Sequence, residues 1–96
     1  MYLKTYEDKE HFLVAACDRE LLGKSLQHGK IIVEISRAFY EGNEVSEIEL
    51  QVALEKATTA NLFGEQTVTC AIKAGIIDPE SVIMIAGVPH AQVFRV

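Results

Sequence analysis

Two uninterrupted apolar runs, Phe12-Leu13-Val14-Ala15-Ala16-Cys17 and Val82-Ile83-Met84-Ile85-Ala86, set the terms on which this chain can fold. Neither alternates with polar residues; the first reads as a strand covered on both faces or held centrally in a sheet, and the second as another wholly apolar strand. Neither approaches the ~20 apolar residues that cross a bilayer, and no membrane span is expected. In 96 residues that cover has to come from one modest core, so a single domain, 1–96, with one small sheet and two or three helices is expected. A composition 49% hydrophobic and 24% charged, with six Gly and two Pro, belongs to a globular chain rather than a disordered or collagenous one.

Around these runs the local signals are specific. Met1–Tyr6 and Phe12–Cys17 flank the polar Glu7-Asp8-Lys9-Glu10-His11, which predicts a hairpin with a longer loop. Asp18 and Gly23 bracket Arg19-Glu20-Leu21-Leu22 as an N-cap and a left-handed stop bracket a single helical turn. Ile31-Ile32-Val33-Glu34-Ile35 is a β-branched strand with Ile31, Val33 and Ile35 on one face. Ser46-Glu47-Ile48-Glu49 is a capping box, and Leu50, Ala53, Leu54 and Ala57 follow it at helical spacing. Asn61-Leu62-Phe63-Gly64 is expected to end that helix, with Gly64 taking a positive φ. A second helix carries Val68, Ala71, Ile72 and Ile76 on one face and leaves at Gly75. Asp78-Pro79-Glu80 is a turn, and Gly87-Val88-Pro89-His90 is expected to be a four-residue hairpin loop into a last strand, 91–96. The order β-β-(turn)-β-α-α-β-β predicts an α+β two-layer sandwich. Its mainly antiparallel sheet has about five strands, with helices near 46–60 and 65–75 on one face.

The net charge of −5 is unevenly placed. Residues 1–40 carry six acids and six bases; residues 41–61 carry Glu41, Glu44, Glu47, Glu49 and Glu55 against Lys56 alone. Acids in a first helical turn suit the helix dipole, which accounts for part of the excess; the sharper reading is an acidic surface for a basic partner. No cluster of Lys or Arg exists to grip phosphates, so direct phosphate-driven nucleic-acid binding is not expected. Met1–Lys9 lacks the basic and apolar pattern of a secretory signal, and a cytoplasmic location is expected.

Chemistry-bearing motifs are few. Leu22-Gly23-Lys24-Ser25 resembles the end of a phosphate-binding loop, but Asp18 stands where that loop needs glycine, and its carboxylate would repel phosphate. Cys17 and Cys70 belong to no C-x-x-C pair and read as core cysteines. His11, His28 and His90 share no metal-ligand spacing, so neither metal nor cofactor is expected, and no catalytic set is assigned. A turn explains Gly87 and Pro89, including a candidate cis Val88–Pro89 bond, but it does not demand His90 or Gln92. Asn61 is a candidate cap for the second helix, with Glu65 near that helix's positive end.

Taken together, Cys17-Asp18-Arg19-Glu20-Leu21-Leu22-Gly23-Lys24, Asn61-Leu62-Phe63-Gly64-Glu65, Asp78-Pro79-Glu80 and Gly87-Val88-Pro89-His90-Ala91-Gln92-Val93 resemble an archaeal domain-of-unknown-function family, number 424. The stretches span nearly the whole chain. Gly-Val-Pro-His-Ala-Gln is the most specific of them, and the family often has a second glycine where this chain has Ala86. The resemblance implies an α+β two-layer fold and an archaeal cytoplasm, and it carries over no activity.

Function is therefore expected from size and surface. The leading reading is a non-catalytic binding module for a protein or ribonucleoprotein partner, ribosomal or RNA-associated. The candidate binding residues are Asp18, Asn61, Glu65, Pro89, His90 and Gln92, gathered on one polar rim where the Asn61–Glu65 corner meets the Gly87–Gln92 tip. The competing readings are a small enzyme, such as a hydrolase, using Cys17 or Cys70 with a histidine, and a self-associating structural protein that forms a homo-oligomer through an apolar patch.

Overall fold

The computed structural model describes residues 1–95. Strands β1 (Tyr2–Glu7) and β2 (Phe12–Cys17) form the expected antiparallel hairpin, with Glu7 opposite Phe12. A 3-10 turn at Arg19–Leu21 leads into a second hairpin, β3 (Ser25–His28) and β4 (Ile31–Glu34). Then follow a short helix α1 (Arg37–Tyr40), a two-residue strand β5 (Asn43–Glu44) and helix α2 (Glu47–Lys56). The chain continues through β6 (Thr59–Phe63), α3 (Glu65–Lys73), a 3-10 turn at Pro79–Ser81, β7 (Ile83–Ile85) and β8 (Val88–Phe94).

The result is an α+β fold with a mixed six-stranded sheet, ordered β5-β1-β2-β6-β8-β7, and a separate two-stranded sheet, β3-β4. The pairing of β2 with β6 is parallel and the others are antiparallel. Helices α2 and α3 cover one face: Leu50, Leu54, Val68, Cys70 and Ala71 pack on Val14, Ala16, Ala60, Leu62, Ala91 and Val93. The opposite face is covered in part by the β3-β4 hairpin and α1, through Leu22, Leu26, Ile35 and Tyr40 on Ala15, Cys17 and Phe63. From Val14 to Cys17 both faces of β2 are therefore dry, while Phe12 and Leu13 are half-buried.

Several expectations are corrected. The two-layer sandwich acquires a third, partial layer, because Ile31–Ile35 pairs with β3 instead of joining the main sheet, leaving Ile31 and Ile32 exposed. The first helix stops at Lys56, and 59–63 is a strand near the middle of the sheet, so the helices are not consecutive. Gly64, with φ +108°, does not end a helix but starts α3. The second apolar run forms β7, an edge strand with Met84 exposed. The hairpin loop is also shorter than expected. Ile85 pairs with Val88, leaving only Ala86 and Gly87 at the turn with φ +51° and +80°, the two left-handed positions of a tight hairpin. Pro89 and His90 belong to β8, and all peptide bonds among the described residues are trans. Val96, the end of the expected last strand, lies outside the described residues.

The capping box forms in full. Ser46 Oγ accepts from the Glu49 N–H at 3.2 Å, and Glu49 Oε1 accepts from the Ser46 N–H at 3.0 Å. The backbone and side-chain bonds from Ser46 hold the Glu49 carboxyl below its ordinary value. At the other end of α2, Arg95 Nη1 donates to the carbonyls of Leu54, Glu55 and Ala57, of which Leu54 O also accepts from the Ala57 N–H.

Candidate functional site

The carboxyl ends of the parallel pair β2 and β6 lie at one end of the sheet. Asp18, the residue after β2, is 2% exposed there. Its carboxylate does not cap the 3-10 turn that follows it. It reaches instead to the start of α3, where Oδ2 accepts from the Gln66 N–H at 3.0 Å and Oδ1 accepts from the Thr67 N–H and hydroxyl, both at 2.8 Å. The backbone is fixed to match, because the Asp18 N–H donates to Phe63 O at 3.0 Å. Gly64 is what admits the carboxylate: a Cβ at this position would lie 2.3 Å from Asp18 Cγ. The positive end of α3 is thus already filled by a carboxylate from a residue far away in the chain.

Beside this lock opens a cleft of about 630 Å³, lined by Met1, Asp18, Glu20, Glu47, Glu65, Gln66, Thr69 and Lys73. Glu20 comes from the 3-10 turn, Glu47 from the start of α2 and Glu65 from the start of α3. Lys73 Nζ stands 3.9 Å from Glu47 Oε1. Sequence reasoning located the acidity in 41–61; it did not foresee that the turn after β2 and the start of α3 add carboxylates to the same cleft.

The remaining candidates lie on the sheet. Gly64 N–H donates to Pro89 O at 2.8 Å, so the Gly64–Glu65 corner and the start of β8 meet at the same end of the molecule. Pro89 contributes that carbonyl, with its ring half-buried on the helix side. His90 is paired with Phe63 across β6 and β8, and its ring stacks on Phe63 with centroids 4.1 Å apart. His90 Nδ1 lies 2.9 Å from Leu62 O, a carbonyl that only accepts, so Nδ1 carries the proton of the neutral ring. Burial holds the His90 pKa below its usual value, against the opposing effect of that hydrogen bond. Asn61 does not cap α3; it is a strand residue opposite Gln92, whose Nε2 donates to Asn61 Oδ1 at 3.0 Å. Asp18 and Glu65 therefore line the cleft, whereas Asn61, His90 and Gln92 line the sheet face turned away from α2 and α3. The single rim is divided in two.

The thiols stand apart from the histidine. Cys17, Phe63 and His90 occupy one row across β2, β6 and β8, which puts Cys17 and His90 two strand spacings apart, about 10 Å, with the Phe63 ring between them. Cys70 lies on the opposite face, its thiol donating to Glu47 O. Burial, reinforced by Asp18, raises Cys17 to about 11; burial and Glu47 raise Cys70. Both thiols are thus held in the form that is not nucleophilic. Among the described residues, no three His, Cys, Asp or Glu side chains are gathered to hold a metal ion, and no helix is long and apolar enough to cross a membrane.

The fold is similar to the crystal structure of an uncharacterized conserved protein from Methanopyrus kandleri, with a TM-score of 0.83 and 24% sequence identity over 96% of this chain and 88% of that one. No curated protein matches the chain. The family described as "Protein of unknown function (DUF424)" matches residues 6–96, and the chain belongs to it.

Proposed function

We propose that this protein is a non-catalytic binding module of the archaeal cytoplasm whose acidic cleft takes a lysine- or arginine-bearing segment of a macromolecular partner. The observation that carries the reading is the convergence of Glu20, Glu47 and Glu65, from three separate elements, on one cleft of about 630 Å³. Lys73 is the lone Lys or Arg side chain in that lining and already faces Glu47. Carboxylates gathered in one cleft concentrate cations and speed the encounter with a basic partner. A basic protein, including the protein part of a ribonucleoprotein, meets this requirement; bare phosphate does not, since the end of α3 that would receive it holds Asp18. The competing reading as a cysteine- and histidine-dependent enzyme gains no support from two buried, protonated thiols.

The test uses a capped hexa-arginine peptide. The unmodified protein is expected to bind it at about 50 mM salt and to lose affinity about tenfold or more by about 500 mM, as screening shortens the range of the field. The triple variant Glu20→Gln, Glu47→Gln, Glu65→Gln is expected to lose binding. A control triple, Glu7→Gln, Glu34→Gln, Glu80→Gln, removes the same charge elsewhere and should retain it. Equal losses in the two triples would reduce the effect to net charge and overturn the cleft.

A further inference from the structure

The pairing pattern leaves part of β8 with an open edge. Pro89 O accepts from Gly64 N–H, and Arg95 N–H donates to Thr58 O. Hydrogen-bonding direction alternates along a strand, so Pro89, Ala91, Val93 and Arg95 turn their backbone groups toward β6, while Val88, His90, Gln92 and Phe94 turn theirs away. Strand β7 answers Val88 and His90, since Ile85 and Ile83 lie opposite them. It begins at Ile83, and the chain before it turns off into the 3-10 turn at Pro79–Ser81. The outward N–H and C=O of Gln92 and Phe94 have no backbone or side-chain partner among the described residues.

A cavity of about 290 Å³ lies at this place, lined by Ser81, Ile83, His90, Ala91, Gln92 and Phe94. Ile83, His90, Gln92 and Phe94 alternate onto the same sheet face. Two of them are large, apolar and exposed, Phe94 by 79% and Ile83 by 55%. The lining has no carboxylate, ammonium or guanidinium, in a chain whose net charge is −5. Unlike β8, the far edge of the sheet, β5, is guarded by Glu44 in an ion pair with Arg19, and charge on an edge is a common defence against strand pairing.

We propose that the outer edge of β8, beyond the start of β7, is a strand-addition site for an uncharged extended segment of a partner protein. Unpaired, alternately directed N–H and C=O groups specify a strand as the occupant. The span from Ala91 to Phe94 admits about four residues, roughly 13 Å of strand. Ile83 and Phe94 call for apolar side chains at alternate positions of that segment, and the neutral lining offers a charged residue no counter-ion. This site is separate from the acidic cleft, and its binding should not respond to salt.

The probe is a capped hexapeptide of alternating threonine and valine. Hydrogen exchange of the Gln92 and Phe94 amides is expected to slow about tenfold or more when the peptide is added, with Ala91 and Val93, already bonded to β6, unchanged. The slowing should be the same at about 50 and about 500 mM salt. The peptide N-methylated at every residue should give no protection, and Phe94→Ser, a change at an exposed position, should weaken binding about fivefold or more. Unchanged exchange at Gln92 and Phe94, equal protection by the N-methylated peptide, or unaltered affinity in Phe94→Ser would overturn the proposal. Protection that rises with protein concentration and needs no peptide would also overturn it, by making a second copy the occupant. Failure of the hexa-arginine test leaves these results untouched, so the two sites stand or fall separately.

Discussion

Removing the Asp18 carboxylate should be among the most damaging single changes in this protein, and its cost follows from three hydrogen bonds. In Asp18→Ala, the N–H groups of Gln66 and Thr67 and the Thr67 hydroxyl lose their acceptor together. Thr67 is 0% exposed, so water does not replace its two bonds, whereas Gln66 is exposed and its N–H is the cheaper of the losses. Loss of a helix cap costs about 1 kcal/mol, and each buried donor left unpaired costs about 1–3 kcal/mol. The sum is about 3 kcal/mol, since the groups share one carboxylate and are not independent. For a chain of this size that is a fall in Tm of roughly 12–24 °C. Urea titration should show the loss as a lower midpoint with an unchanged slope. Gly64→Ala provides the cross-check. Its Cβ would collide with Asp18 Cγ at 2.3 Å and would also carry a side chain at φ +108°, which costs about 1–3 kcal/mol by itself. With Asp18→Ala in place the collision is gone and only the backbone strain remains, so the double variant should be more stable than the sum of the single losses predicts. Simple additivity, or an Asp18→Ala cost under about 0.5 kcal/mol, would refute the claim that the carboxylate and the glycine form one lock.

Other expectations follow from the same structure. Ala86 holds φ +51°, where a Cβ costs about 1–2 kcal/mol; allowing for glycine's greater unfolded freedom, Ala86→Gly should raise stability by about 0.5–1 kcal/mol in urea titration. The His90 pKa is lowered from 6.5 in the folded state, so below that value the unfolded chain binds more protons. Stability should therefore be level above about pH 7 and fall as pH drops through 6.5, and His90→Gln should flatten that fall in denaturation midpoints measured from about pH 8 to about pH 5. With Cys17 raised to about 11, a disulfide reagent at neutral pH should label Cys17 in native protein at least roughly a hundredfold more slowly than in urea-unfolded protein. Leu54→Ala, at a fully buried position of α2, should cost about 2–5 kcal/mol in the same titrations.

The features legible in the sequence are those decided within a few residues of one another. Ser46 and Glu49 lie one turn apart and find each other in any context where the helix forms, so the capping box and the start of α2 could be read directly. The 7–11 loop of the first hairpin, which Asp8 closes, and the helix exit at Gly75 are local in the same sense. The apolar run Phe12–Cys17 pointed to a strand covered on both faces or held centrally, and Val14, Ala15, Ala16 and Cys17 are indeed 0% exposed. Thr59–Phe63 had no such voice. Its five residues follow a helical stripe without a break, and they are a strand only because β2 and β8 stand ready on either side to take their backbone groups. Val82–Ala86 looked as apolar as the first run, yet whether an apolar strand is central or at an edge depends on what pairs with it, and β7 has a neighbour on one side alone. The same reason divides the candidate site. Asp18 reads locally as the cap of the turn after it, but its carboxylate finds stronger donors at the start of α3, brought there by the parallel pairing of β2 with β6. Short-range chemistry was written in the residues themselves; which surfaces meet was decided by strand pairing across the chain, a choice that no stretch of neighbouring residues contains.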